Sequence, residues 1–159
     1  MTNPTESVAA ILGRSVDAMI HDWAELVEHD EELTSVWLKH DDRIVHLYTL
    51  FHDLLVRLRL PHGSTALKSI AARLHGELRS KQGYTVPMLV EESRIMELTV
   101  FGILEKNIAT VDLSQVLRDV ITVADEVDSQ LKQAILGYME SRRSNRGLGS
   151  LLRRPSLMA

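Results

Sequence analysis

The residues best placed to do chemistry lie in one stretch, His75-Gly76-Glu77-Leu78-Arg79-Ser80-Lys81-Gln82-Gly83-Tyr84, followed by Glu91-Glu92-Ser93-Arg94. His75 and Arg79 are four apart, so a helix carries them on one face. Gly83 suits a left-handed turn, and a tight hairpin there returns the next helix antiparallel. Counting outward from that turn sets His75 beside Glu92 and Arg79 beside Met88 or Leu89. The expectation is a buried or half-buried network of His75, Arg79 and Glu92, with Arg94 as its fourth member. Such a network fixes the register of the hairpin, or serves as a sensing or docking site. An imidazole titrates near pH 6.5 and is easily moved by charged neighbours, so His75 is the residue from which pH dependence is expected.

Other chemistries find less support. The chain has seven histidines and no cysteine, which excludes disulfides, thiolate metal sites and cysteine nucleophiles. No histidine has Glu three residues before it, so the Glu-x-x-His pattern of di-iron bundles is missing. His40, His46 and His52 are six apart and do not share a helical face. No metal site and no cofactor is expected, although spacing alone leaves room for a haem held by one histidine. Gly147-Leu148-Gly149 is too short for a phosphate-binding loop, and no serine sits on a nucleophile elbow. Two phosphorelay patterns come near His75. Gly76 separates His75 from the acid that follows a kinase phosphoacceptor, and Arg79 falls one residue late for a phosphotransfer bundle. A phosphotransfer role for His75 stays as an alternative to sensing.

Helices must position these groups. Asn3-Pro4-Thr5-Glu6 reads as an N-terminal cap, and Val8, Ile11, Leu12, Val16, Met19, Ile20, Trp23, Leu26 and Val27 give one amphipathic helix over about 4–29. A short helix around Val36 and Trp37 is expected next, then a long one from Asp41 or Asp42 to Leu60. Ser64 is expected to cap a third long helix with Leu67, Ile70, Ala71, Leu74 and Leu78 inside. Thr85 caps a fourth, whose inner face is Leu89, Ser93, Met96, Val100, Ile103 and Leu104. Asp112-Leu113-Ser114-Gln115 opens a fifth, to about Arg143.

In that last helix Leu117, Val120, Ala124, Val127, Leu131, Ala134 and Tyr138 repeat at steps of three and four. This is a heptad seam, for packing inside the bundle or for pairing with a second copy. No segment alternates as a strand does. The fold class is therefore all-α, a bundle of four long helices plus a shorter one, over residues 1–143.

The 159 residues suit one domain. The net charge of −4 hides an asymmetry. Without the five arginines of residues 142–159, 13 basic residues face 22 acidic ones, or −9. Residues 144–159 read as a flexible basic tail, in which Leu152-Arg153-Arg154-Pro155-Ser156-Leu157 looks like a basophilic kinase substrate by chance. An acidic body argues against specific nucleic-acid binding. No apolar run is long enough to span a membrane, and Met1–Glu6 lacks the features of a signal peptide, so a cytoplasmic location is expected.

His75-Gly76-x-x-Arg79-x-x-x-Gly83-Tyr84, then Leu89-Val90-x-Glu92-x-Arg94, resembles the N-terminal domain of RsbR-type proteins, the RsbT co-antagonists of the bacterial stressosome. The same domain type precedes some bacterial histidine kinases. The resemblance spans about residues 5–140, with its specific part at 75–97. Val127-Asp128 matches a step in the family's last helix, whereas Met96-Glu97 stands where the family usually has Leu-Arg. The resemblance implies a globin-like helical domain without haem. It also implies homodimerisation, and a non-enzymatic role that passes a signal to a C-terminal output module or signalling partner. The residues after 143 are too few for such a module, so a stand-alone sensor domain or a piece of a longer chain is expected.

Overall fold

The computed structural model describes residues 5–151, and the side chains of residues 5–149. The described elements are α1 (Val8–Gly13), α2 (Val16–Glu28), α3 (Glu31–Thr34), α4 (His40–Ile44), α5 (Leu47–Arg59), α6 (Ile70–Lys81), α7 (Val86–Lys106) and α8 (Val116–Leu151). The fold is all-helical. Among the described residues the extended backbone forms only an isolated bridge between Glu6 and Val111. No described helix is long and apolar enough to cross a membrane.

Two helices expected as continuous are each broken, for reasons that reside in side chains. The first breaks at Arg14 and Ser15. Ser15 donates its hydroxyl to the Ile11 carbonyl at 2.7 Å, a back-bond that bends helices. Arg14 meanwhile donates to Glu6 and to Asn107. Glu6 is thus in the bridge rather than in a helical first turn, and Ser7 is the residue that caps α1. The expected cap at Asn3 and Pro4 lies outside the described residues.

The second break separates α4 from α5 at Val45 and His46. In a continuous helix the Asp42 and Arg43 carbonyls would accept from the amides four residues on. Here Arg79 takes both, donating Nη1 to Asp42 O at 3.3 Å and Nη2 to Arg43 O at 2.6 Å.

Ser69, not Ser64, caps α6, accepting from Ala72 N and donating to Asp53 at 2.6 Å. Residues 64–69 are therefore a connecting segment. The inner face of α6 also differs from the expected one. Ile70 is 77 % exposed and Leu74 is exposed, while Ala72, His75, Gly76, Arg79 and Ser80 are buried. Its end follows expectation. Gly83 has φ +92, the Tyr84 amide donates to Arg79 O, and the Gly83 amide donates to Ser80 O. This is a Schellman turn, and it starts α7 at the Thr85 cap.

The long α8 runs past Arg143 to Leu151, so residues 144–151 are helical, and 152–159 with Arg153 and Arg154 lie outside the described residues. Of its expected seam, Val127, Ala134 and Tyr138 are buried, Val120, Ala124 and Leu131 are half-buried, and Leu117 is 70 % exposed. The buried stripe is instead Asp119, Val123, Glu126, Gln130, Ala134, Gly137 and Ser141, rotated by about one residue toward polar positions.

Two glycines set the distance between α6 and α8. A Cβ on Gly76 would lie 1.7 Å from Ala134 O, and one on Gly137 would lie 2.0 Å from Arg73 O. Backbone meets backbone there, so nothing can move aside as a side chain would. Gly102 in α7 has nothing within 4 Å of the same position. Gly76→Ala should therefore destabilise the protein near or above the upper end of the roughly 1–3 kcal/mol typical of overpacking. Gly102→Ala should stabilise it by about 0.5–1 kcal/mol through helix propensity. Thermal unfolding of the two variants checks this pair of opposite signs.

Candidate functional site

The structure brings His75, Arg79 and Glu92 together and leaves Arg94 outside. Glu92 sits on the second turn of α7, and its side chain is only 4 % exposed. Three groups meet its carboxylate. His75 Nε2 lies 2.8 Å from Oε2, Arg79 Nε lies 3.1 Å from both oxygens, and Tyr84 OH donates to Oε1 at 2.9 Å. Burial by itself pushes the Glu92 carboxyl up, but the hydrogen bond and charge of His75 and those of Arg79 outweigh it, and its pKa is lowered. The carboxylate is ionised, so His75 Nε2 carries the proton and donates it.

Further groups extend the cluster. Arg43 donates to Tyr84 OH at 2.9 Å and to Val36 O, and Arg79 also donates to Gln82 Oε1 at 2.7 Å. The Tyr84 pKa is raised, first by burial and then by the Glu92 charge. Trp23 of α2 donates its indole N–H to Glu92 O at 3.2 Å, and Tyr138 of α8 donates to Tyr84 O at 2.8 Å. The Arg79 guanidinium carbon lies 4.9 Å from the Tyr84 ring centroid, a cation–π contact. Glu92, through its carboxylate and its backbone carbonyl, and its partners thus tie α2, α4, α6, α7 and α8.

Sequence reasoning leaves Arg43, Trp23 and Tyr138 outside this network, with Trp23 on the inner face of the first helix and Tyr138 on the seam of the last. Only their types hint at a role, because buried Tyr and Trp need a partner for their polar atom. Arg94 is exposed and pairs with Glu91 three residues before it.

His46 stands at the α4–α5 break with its ring edge-to-face against His75, centroids 5.6 Å apart. Burial lowers its pKa first, and the charges of His75 and Arg79 lower it further. The His75 ring is itself buried, with Nε2 on Glu92 and Nδ1 shielded from solvent. Phosphoryl transfer requires an exposed ring nitrogen, which this geometry does not present. The cavity beside His75 measures about 30 Å³, far short of a porphyrin, so a haem on this histidine is not accommodated.

A second polar cluster holds the segment before α6. Glu126 of α8 is fully buried, and its Oε2 accepts from Leu67 N at 3.2 Å and lies 3.7 Å from Arg57 Nε. Arg57 also pairs with Asp125 at 3.3 Å. Burial raises the Glu126 pKa, and the Asp53 charge adds to this, against the Leu67 amide and Arg57. His21, Asp22 and Glu25 are the one metal-competent grouping among the described residues. They lie on the outer side of α2, and Asp22 accepts from Lys106.

The two buried glutamates have opposite signs of linkage. The lowered pKa of Glu92 means a contribution complete at neutral pH and lost as pH falls through the folded value. The raised pKa of Glu126 means that the fold disfavours its ionised form, so stability is gained as pH falls toward the ordinary value of 4.5. Glu92→Gln leaves Arg79 and Arg43 without a counter-charge and should cost about 3–5 kcal/mol at pH 7. Glu126→Gln mimics the neutral form and should match or exceed the wild type at pH 7, with the gain between pH 7 and 5 removed. Arg94→Ala should stay within about 0.5 kcal/mol of wild type. Urea unfolding at both pH values measures all three.

Comparison with known protein families, curated proteins and solved structures finds no match.

Proposed function

We propose that this chain is a non-enzymatic regulatory domain of the sensor type that the 75–97 motif resembles, with α8 as its output helix. The single observation that carries the reading is the path from Glu92 to α8. The carboxylate holds Tyr84, and the Tyr84 carbonyl holds Tyr138. Any displacement of α6 against α7 changes the anchor of α8. Sliding or rotation of a packed helix is a usual way for such assemblies to switch. The globin-like arrangement, a bacterial cytoplasmic setting and a signalling protein as downstream partner belong to this proposal as what the resemblance implies.

Homodimerisation is the second part of it. The outward face of α8 exposes Leu117, Ile121, Leu136 and Met139, with Asp128 and Lys132 between them. This stripe, and not the buried residues of the heptad seam, is the pairing surface. It is self-complementary when two copies run antiparallel. A two-fold axis midway between Asp128 and Lys132 sets each Asp128 against the other copy's Lys132, Ile121 against Met139, and Ala124 against Leu136. Such an isologous contact is the commonest form of dimer.

Charge variants test the register without touching the core. Wild-type protein should run as a dimer in light scattering. Asp128→Lys should shift it to monomer with helix content unchanged, and adding Lys132→Asp should restore the dimer. A monomeric wild type, or a dimer indifferent to both charges, would remove this part of the proposal.

A further inference from the structure

The last turns of α8 leave the body. Ser141 is buried, whereas every residue from Arg142 to Gly149 is exposed, although the helix continues to Leu151. The chemistry changes at the same point. Glu140, the last acid of the sequence, is paired with Arg73. Beyond it the sequence holds five arginines, Arg142, Arg143, Arg146, Arg153 and Arg154, and no acid. Arg142, Arg143 and Arg146 have no ion-pair partner among the described residues.

Helical spacing sorts these groups. With 3.6 residues per turn the three arginines share an arc of about 100°, and Leu148, 62 % exposed, stands on the opposite side. As a sequence pattern, the same period sets Leu151 and Leu152 with Leu148, and Arg153 and Arg154 with the other arginines, up to Pro155. A basic face against a leucine face is the pattern of a helix that lies in a membrane interface.

The leucines choose among polyanions. A nucleic-acid strand takes the arginines but leaves Leu148 in water, and its bases stack on aromatic side chains, of which residues 142–159 have none. An anionic lipid surface meets both faces. Its headgroup phosphates accept from guanidinium groups, and its acyl boundary takes the leucines. The acidic body does not prevent this contact. Residues 142–151 carry it up to about 15 Å away, at about 1.5 Å per residue. That exceeds the Debye length of about 8 Å at physiological salt, so the repulsion is largely screened. We propose that the projecting end of α8 is a peripheral membrane contact, which lies along an anionic lipid surface with its arginines on headgroup phosphates and its leucine face toward the acyl chains. The proposal goes beyond the regulatory reading and does not rest on it.

Sedimentation of the full-length chain with vesicles tests the contact. The chain should bind vesicles of equal phosphatidylcholine and phosphatidylglycerol, bind them less in high salt, and ignore vesicles of phosphatidylcholine alone. One arginine near such a surface contributes about fivefold in binding, so Arg143→Gln combined with Arg146→Gln should weaken it roughly 25-fold. Leu148→Ser keeps the charge and should weaken it several-fold. All three residues are exposed, so the thermal unfolding of these variants should match that of the wild type. No binding to the anionic vesicles would overturn the proposal, as would equal binding to both kinds of vesicle. Binding indifferent to Leu148→Ser would contradict an interfacial helix and leave a bare charge contact. Binding to a single-stranded RNA homopolymer in place of the vesicles would assign the arginines to nucleic acid and reject the lipid surface.

Discussion

A carboxylate taken out of water costs several kcal/mol unless charge and hydrogen bonds replace its hydration. Glu92 meets that condition with one imidazole, one guanidinium and one phenol, each from α6 or the turn that follows it. Much of the fold is arranged to deliver those three groups. Arg79 has five donors, and Glu92 uses only part of that capacity. The rest go to the carbonyls at the end of α4 and to Gln82, which is why α4 stops where it does. Arg43 then turns inward to Tyr84, and its own backbone carbonyl is held by the same Arg79. The helix break and the ion cluster are therefore one feature.

The second constraint is steric. Gly76 stands next to His75, and its missing side chain lets α8 approach to backbone contact. The close approach brings Ala134 against α6 and puts Tyr138 within reach of the Tyr84 carbonyl. The dipeptide His75-Gly76 thus combines an electrostatic and a packing role in adjacent positions. Nearer the start of α8, on the same buried stripe, Glu126 holds the Leu67 amide and so pins the strap that leads into α6. The same helix is anchored at one level, through Tyr84, to a glutamate that the fold keeps ionised, and itself carries at another level a glutamate that the fold prefers neutral. The outer face of α8 is left apolar around an Asp128–Lys132 pair.

The local grammar of the chain reveals a good part of this. The Gly83 turn and the Thr85 cap follow from residue type, and the i, i+4 spacing of His75 and Arg79 leads directly to Glu92. What spacing cannot reveal is competition from distant side chains. The α4–α5 break is made by Arg79, some 36 residues away in sequence. Nothing in His40-Asp41-Asp42-Arg43-Ile44 announces it. The inner face of α6 was hidden by the same cause. Counting apolar residues favours Ile70 and Leu74, whereas burial follows the partners, so His75 and Arg79 turn inward and the larger aliphatics face out. The stripe of α8 is displaced likewise, because Glu126 and Gln130 have buried partners that a hydrophobic count ignores. Arg94 shows the reverse error. Proximity in sequence to Glu92 suggests a place in the network, but two residues along a helix are a rotation of about 200°, which carries Arg94 to the surface.

One ion pair, Glu92 with Arg79, holds the body together as a unit rather than as two separate contributions. A double-mutant cycle of Glu92→Gln and Arg79→Met, read by urea unfolding at pH 7, tests it most directly. Either single variant strands a buried charge, so the double variant should be no less stable than the worse single one. The coupling should then be at least as large as the smaller single loss, about 3 kcal/mol or more, at the top of the range for contacting residues. Losses that simply add would contradict the account.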